Sequence, residues 1–158
     1  MLYTIYKSSY IGDLLLYGED GYLKGLELYS KTEIDKRWVR NDSFFKDTIK
    51  QLDDYFEGKI KNFSTPLKPK GTKFQLQVFE ALLAIPYGEV VSYKDLAKMI
   101  NNPNAQRAVG NALNKNPIAI IIPCHRVISS SGDIGGFGGG IEIKKKLLVL
   151  EGVENNYH

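Results

Sequence analysis

The apolar run Ile118-Ala119-Ile120-Ile121-Ile122 constrains this chain most, because Pro123 halts it and Cys124, His125 and Arg126 follow at once. A short β-branched run bounded by proline reads as a fully buried strand or core segment, and its end marks where the backbone leaves the core. Cys124 is therefore expected at a rim. It is the only cysteine, which excludes an intrachain disulfide or multi-cysteine metal site and leaves an inert core thiol or a nucleophile. A free cysteine commonly packs as a small apolar residue. Its neighbours favour the second reading: His125 and Arg126 can both be cationic, and positive charge beside a thiol stabilises the reactive thiolate. The imidazole can also take the thiol proton. Adjacent residues of an extended chain point to opposite sides, so a relay through one water is expected.

The rest of the composition narrows the classes. At 43% hydrophobic and 25% charged residues, the 158-residue chain reads as a globular protein of one ordinary domain or two small ones. No basic-then-apolar leader opens it and no apolar run approaches a membrane span. A single cysteine suits a reducing compartment. The expected location is thus cytoplasmic, or nuclear in a eukaryote, with no membrane contact. Net charge is only +3. Residues 86–151 carry eight Lys and Arg against five Asp and Glu, while residues 1–85 are nearly balanced. The surplus lies in the part holding Cys124, which supports a polyanionic partner only weakly.

Along the chain, residues 2–6, 10–17 and 22–29 are rich in Leu, Ile and Tyr, and the last two flank the turn Gly18-Glu19-Asp20-Gly21, predicting a small antiparallel sheet. Residues 31–40 are charged and poorly periodic, with Trp38 expected to tuck under the sheet. Asp42 or Ser43 can cap a helix carrying Phe45, Ile49, Leu52 and Phe56, ended by Gly58. Asp53 and Asp54 read as solvated carboxylates. Residues 59–71, with Pro66, Pro69 and several lysines, have linker composition. Two domains are predicted, 1–65 and 66–158.

Thr72 and Gln75 form a capping box that opens an amphipathic helix ended by Pro86-Tyr87-Gly88. After an extended Val90-Val91, Ser92 can cap a second helix, and a third spans about 104–114 beyond Asn101-Asn102-Pro103. Helix, short polar turn, helix is the helix-turn-helix spacing, whose second helix often enters a nucleic-acid groove. Arg107 in that helix is either a surface arginine covering apolar area or a cation projecting into DNA. The cluster from Gly135 to Gly140 has neither a GxGxxG register nor a following Gly-Lys-Ser/Thr, so nucleotide binding is unsupported. Its glycines let backbone approach a flat ligand. A last helix runs through Leu147 and Leu148 to Glu151 and Gly152. A carboxylate there opposes the helix dipole, so a buried Glu151 needs a cationic partner, for which His125 is the candidate.

Pro123-Cys124-His125-Arg126-Val127, with Asn116-Pro117 and Arg107-Ala108-Val109-Gly110 before it and the glycine loop and Leu147-Leu148-x-x-Glu151-Gly152 after it, closely resembles the methylated-DNA-protein-cysteine methyltransferases. These proteins repair 6-O-methylguanine. The resemblance covers residues 74–152; the first half matches only in size and layout. It implies an α+β protein: a small N-terminal ribonuclease-H-like sheet with a helix, then a mostly helical, winged-helix-like domain containing the helix-turn-helix.

The resemblance also implies roles. Cys124 would be the alkyl acceptor, His125 the water-mediated base, Glu151 the carboxylate orienting it, and Asn116 the residue holding the neighbouring turn. Tyr93 would bond the flipped guanine and crowd a backbone phosphate, and Arg107 would fill the vacated space in the duplex. The Val127 carbonyl would accept from the exocyclic amine; Asn102 and Ser130 would lie near the DNA backbone. Phe137 and Gly138 stand where some members have tyrosine and serine, removing two hydroxyls, although the Gly138 amide could still donate to the guanine oxygen. The implied partner is duplex DNA containing a 6-O-alkylguanine, met by a monomer without cofactor or metal and consumed in a single turnover. The rival readings are a non-enzymatic alkylated-DNA sensor, a cysteine hydrolase and a plain helix-turn-helix regulator.

Overall fold

A computed structural model describes residues 1–137 and 140–153. The chain forms two compact units: Met1–Lys70 with Pro117–Ala119, and Gly71–Asn116 with the chain from Ile120 onward.

The first unit is built on a four-stranded sheet of order β3-β2-β1-β4, comprising β1 (Leu2–Tyr6), β2 (Leu14–Glu19), β3 (Tyr22–Leu28) and β4 (Val39–Arg40). The β2–β3 hairpin closes at the expected turn, where Asp20 (φ 55°) and Gly21 (φ 82°) take left-handed backbone. β2 lies between two strands, and its Leu14, Leu15 and Leu16 are all buried, so this strand is apolar on both faces. Gly25 faces Tyr17 across the pair; a Cβ there would collide with the Tyr17 ring, which lies over the glycine and packs on Trp38 at 4.8 Å.

The fourth strand was not expected. β4 pairs parallel with β1, making the sheet mixed, and it falls in the charged stretch whose residues show no period. Part of the lysine- and proline-rich stretch is also tied to the sheet, since Leu23 N donates to Pro66 O and Lys68 N to Leu23 O.

α1 (Lys46–Phe56) packs beside β1, where the Tyr6 hydroxyl donates to Asp53 at 2.6 Å. Its expected cap is not used. Asp42 accepts from the Thr4 hydroxyl at 2.6 Å and from Arg40, so that carboxylate is spent on tertiary contacts, and Ser43 bonds Asn41. The helix is entered through a 3₁₀ turn (Ser43–Phe45).

The second unit contains α2 (Lys73–Leu83), α3 (Tyr93–Met99), α4 (Gln106–Leu113) and α5 (Ile141–Leu150), with a two-stranded parallel pair of β5 (Val91–Ser92) and β6 (Val127–Ile128). Thr72–Gln75 and Ser92–Asp95 both form full capping boxes, which start α2 and α3. The turn between α3 and α4 passes through Asn101 at φ 58°. Val78, Phe79, Leu82, Leu96, Ala97, Val109, Ala112, Leu147 and Leu148 form the apolar interior. No described helix is long and apolar enough to cross a membrane.

Candidate active site

The apolar run is core segment, not strand. Ile118 makes one bridge to Leu26, Pro117 and Ala119 share backbone hydrogen bonds with Leu26, and the chain then turns with Ile120 at φ 72°. A β-branched residue in left-handed backbone costs of order 1–3 kcal/mol and persists only where its surroundings impose it. Ile120, Ile121 and Ile122 are buried, and Asn116 Nδ2 donates to Ile122 O at 2.8 Å, so packing and one side-chain bond hold the turn. Pro123 then starts a 3₁₀ turn, Cys124–Arg126, that runs into β6. Cys124 and His125 are thus not consecutive positions of an extended strand.

Cys124 is buried, with 9% of the residue exposed. Burial pushes the Cys124 thiol up; a hydrogen bond from Asn116 and the positive charge of Lys144 pull it back down. His125 is completely buried, and Nε2 lies 2.7 Å from Glu151 Oε2. Burial pushes its imidazole below the ordinary range, outweighing the pull of Glu151, so the ring is neutral at pH 7. Facing a carboxylate, Nε2 must carry the proton and donate it. Nδ1 is then the lone-pair nitrogen, and it is buried without a partner among the described residues. An unprotonated nitrogen in that position is a ready proton acceptor.

Glu151 caps the C-terminal end of α5 at 3% exposure. The cation its burial demands is Arg126, not His125: the guanidinium reaches it through Nε at 2.7 Å and Nη2 at 3.1 Å, and Nη1 donates to Ile85 O at 2.7 Å. Arg126 therefore offsets the unfavourable end of the helix dipole and leaves His125 free to stay neutral. Tyr87 adds a hydroxyl bond to Leu150 O and a ring 5.8 Å from the guanidinium.

Tyr93, the first residue of α3, stands over the glycine loop and is electrostatically coupled to Cys124. Burial raises its phenol, and a bond with the Gly136 backbone lowers it. Gly135 has φ 77°, and a Cβ on it would lie 2.7 Å from Tyr93 Oη and 3.1 Å from the ring. Gly135→Ala is accordingly expected to destabilise the second unit by about 1–3 kcal/mol through backbone strain and displacement of Tyr93. Thermal unfolding of the variant checks this; an unchanged midpoint would mean that the loop yields freely.

Of the other residues singled out, Val127 is buried and Phe137 half-buried, whereas Asn102, Arg107 and Ser130 are exposed. Arg107 has no hydrogen bond or ion pair among the described residues, which leaves its guanidinium available. Gly138 lies outside the described residues. No group of three or more His, Cys, Asp and Glu that could hold a metal occurs among the described residues.

Two buried cations near Cys124 in the chain or in space escaped sequence reasoning. Arg126 was weighed only as a charge near the thiol. Lys144 was not singled out, yet it is fully buried and donates to Val127 O at 2.6 Å and Gly136 O at 3.0 Å. A signal existed: Lys144, Leu147, Leu148 and Glu151 recur at helical spacing, so one inward stripe carries a cation at one end and an anion at the other.

Comparison with known proteins gives consistent matches. Residues 1–69 match the family described as 6-O-methylguanine DNA methyltransferase, ribonuclease-like domain, and residues 73–153 match the DNA binding domain of the same family. The methylated-DNA–protein-cysteine methyltransferase of Methanosarcina acetivorans is 48% identical over 155 residues, covering 96% of this chain and 99% of its own. That of Mycobacterium leprae is 44% identical over 153 residues, covering 96% and 93%. A crystal structure of Mycobacterium tuberculosis OGT in complex with DNA superposes with a TM-score of 0.90 at 44% identity, covering 96% of this chain and 92% of the other.

Proposed function

The chain belongs to the 6-O-methylguanine DNA methyltransferase family, and from that premise we propose that it repairs duplex DNA by transferring the methyl group of a flipped 6-O-methylguanine onto Cys124. The observation that carries this reading is the unpartnered Nδ1 of a neutral, buried His125 whose other nitrogen is committed to Glu151. Such a nitrogen, reached through one water, takes the thiol proton at the moment the sulfur needs to be a thiolate.

The thiolate attacks the methyl carbon in line. A sulfur–carbon bond forms, the carbon–oxygen bond breaks, and its electron pair goes to the guanine oxygen. Guanine then gains a proton and returns to its ordinary form. The product thioether has no hydrolytic exit, so each chain reacts once and needs no cofactor. The methyl lies on a base edge inside the stack, which makes extrusion of the nucleotide obligatory at a cost of roughly a few kcal/mol. Arg107, exposed on α4, is assigned to the vacated space, with Asn102 and Ser130 at the DNA backbone. Tyr93 and the Val127 carbonyl form the pocket. That carbonyl already accepts from Lys144, and its second lone pair remains for the exocyclic amine. Phe137 contributes apolar area to the pocket, and Asn116 holds the turn that leads to Cys124. The protein acts as a monomer.

The test is intact mass after incubation with an oligonucleotide carrying one 6-O-methylguanine. The expected result is the addition of a single methyl per chain, mapped to Cys124 and absent from Cys124→Ala. Tight binding of the lesion without any mass gain would instead assign the chain as a non-enzymatic sensor.

A further inference from the structure

Pro86-Tyr87-Gly88 stops the chain after α2, and the turn it makes lies against the buried Arg126–Glu151 pair. Ile85 O accepts from Arg126 Nη1 at 2.7 Å, and the Tyr87 ring centre is 5.8 Å from the guanidinium, within reach of a cation–π contact. The Tyr87 hydroxyl donates to Leu150 O at 3.2 Å, the carbonyl immediately before Glu151. Gly88 has φ 83°, and a Cβ there would lie 3.3 Å from Glu151 O, so the backbone of the turn approaches Glu151 itself. One half-buried tyrosine thus meets the cation of the pair through its ring and the end of α5 through its hydroxyl. Neither contact belongs to any step above.

We propose that Tyr87 is a positioning residue for methyl transfer, holding Arg126 against Glu151 so that the carboxylate cannot draw a proton onto His125. This rests on His125 being the base for Cys124. The groups that face His125 decide its state. Burial pushes the imidazole down most; Glu151, at the end of α5, pulls it up, and Arg126 from the 3₁₀ turn and Lys144 from the start of α5 push it down. Tyr87, from the turn after α2, is coupled to Glu151 and Arg126, while Cys124 is coupled to Lys144 and Tyr93. A carboxylate bonded twice by one guanidinium exerts less pull on a third group. Removing the Tyr87 ring lets the guanidinium swing away, which leaves more of the Glu151 charge acting on the imidazole. It also admits water beside the pair, which lessens the burial that keeps the imidazole neutral. Both changes raise His125, and a protonated Nδ1 cannot take the thiol proton.

The experiment reads the His125 ring by NMR titration, and methyl transfer from a saturating 6-O-methylguanine duplex by intact mass, both across the acid range. Every protein carries His158→Gln, so that one histidine remains. Tyr87→Leu should raise the ring midpoint by about one pH unit, the low end of what a neighbouring opposite charge does to a titration. Its transfer should run about tenfold slower than wild type on the acid limb and converge with wild type above about pH 8, where the imidazole is neutral in both. Tyr87→Phe keeps the ring beside Arg126 and should follow wild type in both readouts. If Tyr87→Leu loses thermal stability but keeps the wild-type midpoint and acid limb, Tyr87 is structural only and the proposal is overturned. Should Tyr87→Leu fail to fold, pentafluorophenylalanine at position 87 decides, because it keeps the ring shape and reverses the charge of its face. Its His125 midpoint should lie above that of Tyr87→Phe, and an equal midpoint overturns the proposal. Wild type that gains no methyl overturns the proposed function, whereas a reacting wild type with an unmoved Tyr87→Leu midpoint overturns this inference alone.

Discussion

Arg126→Met is expected to unfold or severely loosen the second unit, costing about 3–5 kcal/mol, the usual penalty for breaking a buried ion pair by removing one partner. Glu151 would keep its burial and lose both guanidinium bonds, and Ile85 O would lose its donor. His125 would still face the carboxylate, and it could compensate only by accepting a proton in a place where burial opposes one. The double variant Arg126→Met/Glu151→Gln separates charge from packing. With no carboxylate to strand, it should recover a substantial part of the loss, because well-packed neutral replacements for buried pairs are often tolerated. Urea unfolding followed by circular dichroism of the three proteins checks this. A single variant as stable as wild type would mean that Glu151 is neutral or solvated, contrary to the geometry.

His125→Asn is expected to slow methyl transfer by about 10²–10⁴-fold, the span of a lost general base. Its signature is the pH profile as much as the rate. Because burial keeps the folded imidazole below its ordinary value near 6.5, wild-type transfer should stay level as pH falls past that point and decline only further down. Stability follows the same group with a definite sign. Between the depressed folded value and the unfolded one, the unfolded chain binds a proton that the folded chain does not. Stability therefore declines as pH drops below about 6.5 and levels off once the folded value is passed. Single-turnover rates and thermal midpoints across the acid range test both halves. An Asn variant with the wild-type rate and acid limb would remove His125 from the proton path.

Elements governed by neighbours within a few residues were legible in the chain. The capping boxes at Thr72 and Ser92 close with partners three positions away, and the hairpin at Asp20-Gly21 needs only the left-handed tolerance of those residues. Elements governed by distant competition were not. Asp42 could cap α1, but Thr4, 38 residues earlier, takes its oxygen. β4 exists because β1 offers it an edge, and nothing in a two-residue strand announces that. The apolar run through Ile122 had the composition of a strand, but the turn at Ile120 is imposed by the core around it.

The same division runs through the site. Sequence alone determined that the chain carries a single thiol beside a histidine and an arginine, and that a carboxylate ends the last helix, because covalent order and residue chemistry suffice for those statements. Which cation answers which charge was decided only by tertiary structure. Burial strips water from all of these groups at once, and the pairing then follows distances: Arg126 to Glu151, Glu151 to a neutral His125, and Lys144 to the carbonyls of Val127 and Gly136.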